Sequence, residues 1–390
     1  MENLKVGIIG IGNMGSAHAS CILRGEVEGL ELTAVCDTDT AKLDAFSEIN
    51  PHIKVFSDYE SLIKNSDVEA VIISVPHPLH AEIAICAFKN GLNVMLEKPA
   101  DVSVSKVEEM NRIAKESGKV FSIMFNQRTN PIFTKAREIV RSGELGELKR
   151  TVWIITNWYR TQHYYDSGDW RATWAGEGGG VLLNQCPHNL DIWQWICGMP
   201  RSVTAFCEVA KYHDIEVEDE AIIMAKFENG AIGTFITSTG EFPGTNRLEI
   251  SGTLGKIVLE NGLLKWWKLK EAEPTVRFNS NEGFASIEYD YLEIPQTDCE
   301  NAHRNILQNF TNAVLYGEEL ISAGEDGILE LSISNAAFLS SWTSEEITLP
   351  FDVEKFDELL AERCKNSKFQ KKNKTKELKS EYDKRWQVNW

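Results

Sequence analysis

The chain has 390 residues, 43% hydrophobic and 25% charged. At roughly 100 to 200 residues per domain that length favours two domains with cores of their own and excludes a small disulfide-stapled module. The net charge of −18 at pH 7 disfavours sequence-independent binding to a phosphate backbone, so nucleic acid is not an expected partner. No apolar run reaches the roughly 18 to 20 residues of a membrane helix. The chain enters a strand at once, without the basic, apolar and small-residue segments of a secretory signal, so a cytoplasmic location with no membrane partner is expected.

Residues 1–128 alternate short β-branched runs with helical patterns, the signature of parallel βαβ units. Strands are expected at Lys5–Ile9, Leu32–Cys36, Ala70–Val75, Asn93–Leu96 and Val120–Phe125, with helices at Ser16–Leu23, Ala81–Phe88 and Val104–Ala114. Asn90-Gly91 and Ser117-Gly118 supply helix stops. The expected fold class is thus α/β, beginning with a doubly wound parallel sheet of the dinucleotide-binding (Rossmann) kind. Residues 129–360 read as a second domain with a mainly antiparallel sheet. Its strands are expected at Lys149–Trp158, Val203–Tyr212, Glu220–Phe227, Ala231–Ser238, Arg247–Ser251 and Lys256–Leu259, with hairpin signals at Asn229-Gly230 and Asn261-Gly262. Helices are expected at Gly180–Cys197, Asn301–Leu315 and Asp326–Trp342. Residues 361–390 form a basic tail with a surplus of +6, against −24 for the rest. It reads as a frayed helix or disordered segment whose end, with Trp386 and Trp390, docks somewhere. Eight scattered cysteines without a C-x-x-C read as reduced thiols, mostly small core residues.

Val6-Gly7-Ile8-Ile9-Gly10-Ile11-Gly12-Asn13-Met14-Gly15 places G-x-G-x-x-G directly after a strand and before a helix. Gly10 suits the tight turn, Gly12 the close approach of a pyrophosphate and Gly15 the packing of helix on strand; Asn13 and Met14 join them as cofactor contacts. Asp37 ends the second strand, 22 residues after Gly15, where a carboxylate accepts hydrogen bonds from an adenosine ribose. It would repel a 2′-phosphate, and Thr38-Asp39 bring no arginine to hold one, so NAD is expected rather than NADP. A glycine turn with a solvated Asp is the plainer reading, but strand, loop, helix and acid all agree. His18 reads as a helix residue near the cofactor. The third strand runs into Ser74-Val75-Pro76-His77-Pro78-Leu79-His80 at the carboxyl edge of the sheet, making Ser74, Pro76, His77 and His80 candidate cofactor contacts.

The glycine loop, the strand-end Glu97-Lys98-Pro99 and Gly178-Gly179-Gly180-x-Leu182-Leu183-Asn184-x-x-x-His188-x-x-Asp191, in this order and spacing, resemble the Gfo/Idh/MocA family of sugar and cyclitol oxidoreductases over roughly residues 4–360. The resemblance implies a Rossmann domain, a second α/β domain with an open antiparallel sheet, NAD(P)-dependent oxidation of a ring hydroxyl or its reversal, and a homodimer or homotetramer. The family also holds redox-inactive sugar sensors, so a catalytically silent sensor with a protein partner is the alternative. The presence of both Lys98 and His188 favours an enzyme.

Lys98 follows a strand at the sheet's carboxyl edge, where its ammonium can bind a hydroxyl oxygen and stabilise developing alkoxide charge. Glu97 is placed to align Lys98 or to touch the nicotinamide. Asn184 and His188 are spaced i, i+4 and share a helix face, with Asp191 at i+3 from His188. An ordinary imidazole pKa of ~6.5 suits His188 to accept a hydroxyl proton as hydride leaves the carbon. The sequence departs from the commonest family pattern at Asn184, where an Asp usually sits. An amide can orient a hydroxyl or the imidazole but cannot raise the histidine pKa by charge. Catalytic candidates are therefore Lys98, His188 and Asn184.

The substrate's surroundings are read from three stretches. Gln127 and Arg128 follow the last parallel strand, Gln127 towards the cofactor. Trp158, Tyr159 and Arg160 end the first strand of the second domain; Trp170 and Arg171, after Asp169, precede the glycine run. Aromatic faces mixed with Arg and Asn donors suit a polyol or sugar. No His/Cys/Asp cluster has metal-ligand spacing, so no metal is expected.

Overall fold

A computed structural model describes residues 3–168, 170–297 and 302–367. Asp169, Cys299 and the basic tail beyond residue 367, including Trp386 and Trp390, lie outside the described residues. In chain order the elements begin β1 (Leu4–Ile9), α1 (Asn13–Leu23), β2 (Leu30–Cys36), α2 (Thr40–Ile49), β3 (Lys54–Phe56), α3 (Tyr59–Asn65), β4 (Ala70–Ile73), α4 (His80–Lys89), β5 (Asn93–Leu96), α5 (Val104–Ser117) and β6 (Phe121–Ile123). They continue with α6 (Pro131–Arg141), β7 (Leu148–Ile155), α7 (Gln162–Asp166), α8 (Trp174–Glu177), α9 (Pro187–Cys197), β8 (Ser202–Val209), β9 (Glu218–Lys226), β10 (Ile232–Ser238), β11 (Asn246–Gly252), β12 (Gly255–Glu260) and β13 (Leu263–Leu269). Last come α10 (Glu273–Asn279), β14 (Tyr289–Pro295), α11 (Ala302–Tyr316), α12 (Gly327–Thr343), β15 (Ile347–Thr348) and α13 (Val353–Asn366).

These elements form two compact units. The first holds a six-stranded sheet in the order β3-β2-β1-β4-β5-β6, every pair parallel. β1, β4 and β5 are buried almost throughout because helices cover both faces, which is why they read as continuous apolar runs. The chain reverses its direction of travel across the sheet between β1 and β4, and that crevice is where such sheets bind ligands. Gly91 and Gly118, at φ 77° and 65°, supply the left-handed turns expected after α4 and α5. β4 stops at Ile73, short of Val75: Ser74 N makes a last ladder bond to the Ile9 carbonyl of β1, and Pro76 and Pro78 then turn the chain away. α2, β3 and α3 escaped the sequence reading. Their faces are mostly exposed, so apolar periodicity is weak, although Asp39 and Asp58 cap α2 and α3 with their side chains.

The first boundary falls at residues 129/130, one residue from the expected 128/129, but the stretch expected as one second domain is not contiguous. Residues 302–331 pack with the first unit, where Ile306, Leu307 and Phe310 of α11 share one core with Leu4, Val6, Ile8 and Leu30. An amphipathic stripe announces a buried face but not whose core it enters.

The second unit holds a nine-stranded sheet in the order β14-β13-β12-β11-β7-β10-β9-β8-β15. Every pair is antiparallel except β7 with β10. One face is core: Trp153, Ile223, Phe235, Leu248 and Ile250 are buried, and Trp193 of α9 packs on Phe235 while donating to Thr151 at 3.1 Å. Asn261 and Gly262, at φ 52° and 69°, make the expected tight hairpin into β13. β13 and β14 themselves were not anticipated: edge strand β14 is exposed on both faces and so lacks a clean alternation, and β13 beside it buries only Leu264 and Trp266. The seven described cysteines are free thiols, and burial pushes those of Cys36 and Cys197 up to about 12, which makes them inert packing groups. No described helix is long and apolar enough to cross a membrane.

Candidate active site

In the first unit the glycines do what their spacing demands. Gly10 has φ 89°, its N–H donates to the Cys36 carbonyl at 2.8 Å, and a Cβ there would lie 2.5 Å from the Ser74 carbonyl oxygen. A Cβ on Gly15 would come within 1.8 Å of the Gly10 carbonyl oxygen, so helix and strand approach only because it is glycine. A Cβ built on Gly12 would point into open space, with nothing beyond its chain neighbours within 4 Å, at the N-terminus of α1 where Asn13 and Met14 follow. A cradle of this kind, which a side chain would fill, fits a dinucleotide pyrophosphate. Asp37 is fixed beside it: Oδ2 accepts from Ile11 N at 3.0 Å and Oδ1 from Asp39 N at 2.9 Å. Lys42 Nζ lies 3.8 Å from the same carboxylate, a cation the sequence reading passed over.

The loop after β4 carries Ser74, Pro76, His77 and His80. His77 is buried and its Nδ1 lies 3.1 Å from the Glu177 carbonyl. His80 turns both ring nitrogens to backbone carbonyls, Nδ1 2.7 Å from Pro99 O and Nε2 2.9 Å from Val75 O; the neutral ring has one N–H, which at Nδ1 donates to Pro99 across the shorter distance, so His80 is not a free contact. Burial pushes its imidazole below the ordinary value. Glu97 is likewise engaged: Oε1 lies 2.7 Å from His18 Nε2 and Oε2 accepts from Lys98 N at 3.3 Å. Burial alone would raise the Glu97 carboxyl, but the His18 hydrogen bond and the surrounding positive charge outweigh it and hold it at about 2. His18 is therefore the partner of Glu97, more than the bystander its position on α1 suggested. The ring of His303 stands 6.0 Å from that of His18, with Asn126 Nδ2 3.1 Å from its Nδ1. Burial pushes this imidazole down to about 4. No local pattern marks His303. Gln127 is buried at the end of the same loop; Arg128, expected near substrate, instead pairs with Asp326 at 2.5 Å and lies over the Phe125 ring.

In the second unit the expected helix Gly180–Cys197 is broken. Val181–Gln185 is a π-helical turn, and α9 starts afresh at Pro187, whose missing N–H cannot continue the ladder. Asn184 thus sits in the π turn and His188 in the first turn of α9, so their i, i+4 spacing does not lie on one continuous α-helix. Buried Glu218 sets this geometry. Its Oε2 accepts from Gly180 N at 2.8 Å and its Oε1 from Leu182 N at 2.9 Å. A Cβ at Gly180 would strike the Glu218 carbonyl oxygen at 2.0 Å, which explains the last glycine of the run. His188 and Asn184 are nearly buried, and Asp191, fully buried, accepts from Gln194 at 2.9 Å.

Tyr164, absent from the sequence reading, is the hub of the polar residues. Its hydroxyl takes hydrogen bonds from Arg171 at 2.7 Å and Gln185 at 3.1 Å and donates to Asn184 Oδ1 at 3.3 Å. Arg171 lies over the rings of both Tyr164 and Trp170, and Arg160 over those of Tyr164 and Trp158. Trp158 is buried and donates to Asn189, so it supports the cluster from behind. Tyr159 points elsewhere: it is 45% exposed and its ring packs with Phe242. Among the described residues no group of three or more His, Cys, Asp or Glu could hold a metal ion.

Comparison with known proteins places both domains in one family. A family model described as "Oxidoreductase family, NAD-binding Rossmann fold" matches residues 4–125, and the "GFO/IDH/MocA C-terminal domain" matches residues 133–258. The chain is 26% identical over 342 residues to myo-inositol 2-dehydrogenase of Thermotoga maritima, covering 86% of this chain and 95% of that protein. It is 24% identical to scyllo-inositol 2-dehydrogenase (NAD(+)) of Bacillus subtilis, covering 86% of this chain and 93% of that one. The WlbA dehydrogenase of Bordetella pertussis, solved with NADH and UDP-GlcNAcA, superimposes with a TM-score of 0.77 at 22% identity, over 90% of this chain and 99% of that structure.

Proposed function

The chain belongs to the GFO/IDH/MocA family of oxidoreductases, with an NAD-binding first domain, and from that premise we propose that it moves a hydride between nicotinamide and a ring hydroxyl or ketone of a sugar, sugar derivative or inositol. The observation that carries this reading is the first-unit sheet edge, where the open cradle at Gly12, the anchored Asp37 and Lys98 at the end of β5 are presented together. The nicotinamide, when bound, accepts or returns the hydride. Lys98 stabilises the oxygen as negative charge develops on it. His188 takes the hydroxyl proton in oxidation and returns it in reduction. Asn184, bound to Tyr164, orients the reacting hydroxyl, and Arg160, Trp170 and Arg171 form the polyol's surroundings. A panel of myo-inositol, scyllo-inositol, aldoses and sugar acids, followed by the absorbance of reduced nicotinamide, tests the reading. Turnover of at least one member is expected, and NAD binding with no turnover of any would overturn it.

NAD is preferred to NADP, since Asp37 and Asp39 outnumber Lys42 at the ribose position and leave a 2′-phosphate facing net negative charge. Titration with both cofactors checks this. The protein also works as a homodimer or homotetramer. On the outer face of the second sheet Phe206, Met224 and Ile232 are 61%, 51% and 51% exposed on three adjacent strands, an apolar patch that a second copy would cover. Light scattering showing only the 44.0 kDa species at micromolar concentration would contradict this. A cytoplasmic location completes the proposal, and cell fractionation tests it.

A further inference from the structure

Lys98 stands between two groups, each held by a buried histidine from a different helix. On its amino side the Glu97 carboxylate lies 2.7 Å from Nε2 of His18, on the helix that opens at the glycine loop. On its carboxyl side the Pro99 carbonyl lies 2.7 Å from Nδ1 of His80, at the start of α4, whose Nε2 also reaches the Val75 carbonyl in the loop after β4. Both histidines are at most 2% exposed. At such positions an apolar side chain would fill the space without the desolvation cost of an imidazole, so the polar rings need a reason.

The reason lies in what they fix. A lysine ammonium rides on four rotatable bonds and is only as well placed as the backbone beneath it. Here that backbone is held at three successive residues: Glu97 N donates to Ile73 at 3.0 Å, Lys98 N to its neighbour's carboxylate, and Pro99 O is bound by His80. We propose that His18 and His80 are positioning residues for Lys98, the first acting through the Glu97 carboxylate and the second through the Pro99 carbonyl. The inference rests on the reading of Lys98 as the cation at the reacting oxygen. Because His18 belongs to α1 and the His80 ring also lies against the Val75 carbonyl, the same two rings bring the dinucleotide loop, the β4 loop and the lysine together in one packed frame.

The test compares His18→Leu, His18→Gln, His80→Phe, His80→Gln and Lys98→Met with the parent protein. Four quantities are measured: turnover of the substrate the panel selects, the deuterium isotope effect at its oxidised carbon, the NAD dissociation constant by tryptophan fluorescence, and the thermal midpoint. Loss of the frame should lower kcat in His18→Leu and His80→Phe by on the order of 10- to 100-fold, the range expected of a misplaced catalytic group. The isotope effect should rise as hydride transfer becomes rate-limiting, while NAD affinity changes less than about threefold. Glutamine, which keeps one N–H donor, should recover most of the loss at either position. Parent-like kcat and isotope effect in both apolar variants would overturn the proposal, as would losses that merely track NAD affinity and thermal stability. If Lys98→Met turns over like the parent, the reading of Lys98 falls and the inference with it. If Lys98→Met is inactive while the histidine variants are parent-like, only the inference falls.

Discussion

In the first unit the functional side chains stand at the ends of strands in a regular parallel sheet: Gly10 after β1, Asp37 after β2, Ser74 after β4 and Glu97 with Lys98 after β5. In the second they stand on irregular backbone: Asn184 in a π-helical turn, His188 just past a proline, and Arg160, Trp170 and Arg171 on the segment between β7 and that turn. A strand end is aimed by the sheet, and for Lys98 also by the contacts of the residues on either side of it. A π turn has no ladder of its own to lean on, and here it is aimed by the Glu218 carboxylate and joined to its surroundings by the Tyr164 hydroxyl. Substitutions at Glu218 or Tyr164, which hold this backbone and its neighbours, should therefore disturb geometry and chemistry together, whereas changes to a reacting group itself should leave the fold alone.

The largest effect is expected at His188. Replacing it by alanine removes the proton acceptor and should depress turnover by roughly 10²- to 10⁴-fold, with little change in NAD affinity. Single-turnover kinetics on the best substrate of the panel checks this, and near-full activity would send the proton elsewhere. Next is Glu218→Gln. The amide must turn its NH₂ towards the N–H of Gly180 or Leu182, leaving a buried donor unmet at a cost of about 1 to 3 kcal/mol. Activity and thermal midpoint should fall together, which differential scanning calorimetry beside an activity assay would show.

The glycine loop, Asp37 and the strand-end lysine were open to sequence reading because they are backbone statements: glycine spacing, the end of an apolar run, a carboxylate at a fixed remove. Glu218 was not, since it holds backbone 36 and 38 residues away and nothing near Gly180 names the acceptor. His303 contacts a loop 177 residues distant, and Tyr164 looks like one of several aromatics until its hydroxyl partners are known. The broken helix was missed for a related reason. Apolar residues continue through Leu182, Leu183 and Leu190, so the periodicity survives while Pro187 interrupts the hydrogen bonds.

A pH experiment isolates the buried cluster of the first unit. His303 is held at about 4 in the fold, against an ordinary value near 6.5 in the unfolded chain. Between these values the unfolded chain binds a proton that the folded one refuses, so stability falls as pH drops from about 6.5 towards 4. Glu97, held at about 2, adds loss only below the ordinary carboxylate range, as pH falls from about 4.5. Denaturant unfolding at pH 7, 6 and 5 should show a decline that His303→Gln makes shallower in that window, the remainder coming from buried His80, whose imidazole is also pushed below its ordinary value. An unchanged slope in the variant would place the titrating group elsewhere.

The smallest effect expected is the most informative about the second unit. Asn184 accepts from Tyr164 through Oδ1, and a carboxylate of the same shape would accept that hydrogen bond equally well, so Asn184→Asp should fold and bind NAD like the parent. What changes is charge. A negative group near His188 favours the imidazolium and raises its pKa. In the oxidation direction the neutral ring must take the proton, so the acid limb of the pH-rate profile should move upward, by about one pH unit if the two groups are in contact. At pH 6 oxidation would slow while reduction, which needs the imidazolium as donor, would hold or quicken. A parallel change in both directions would mean that Asn184 acts only through shape. A shift of the acid limb downward would mean that His188 is not the group that titrates.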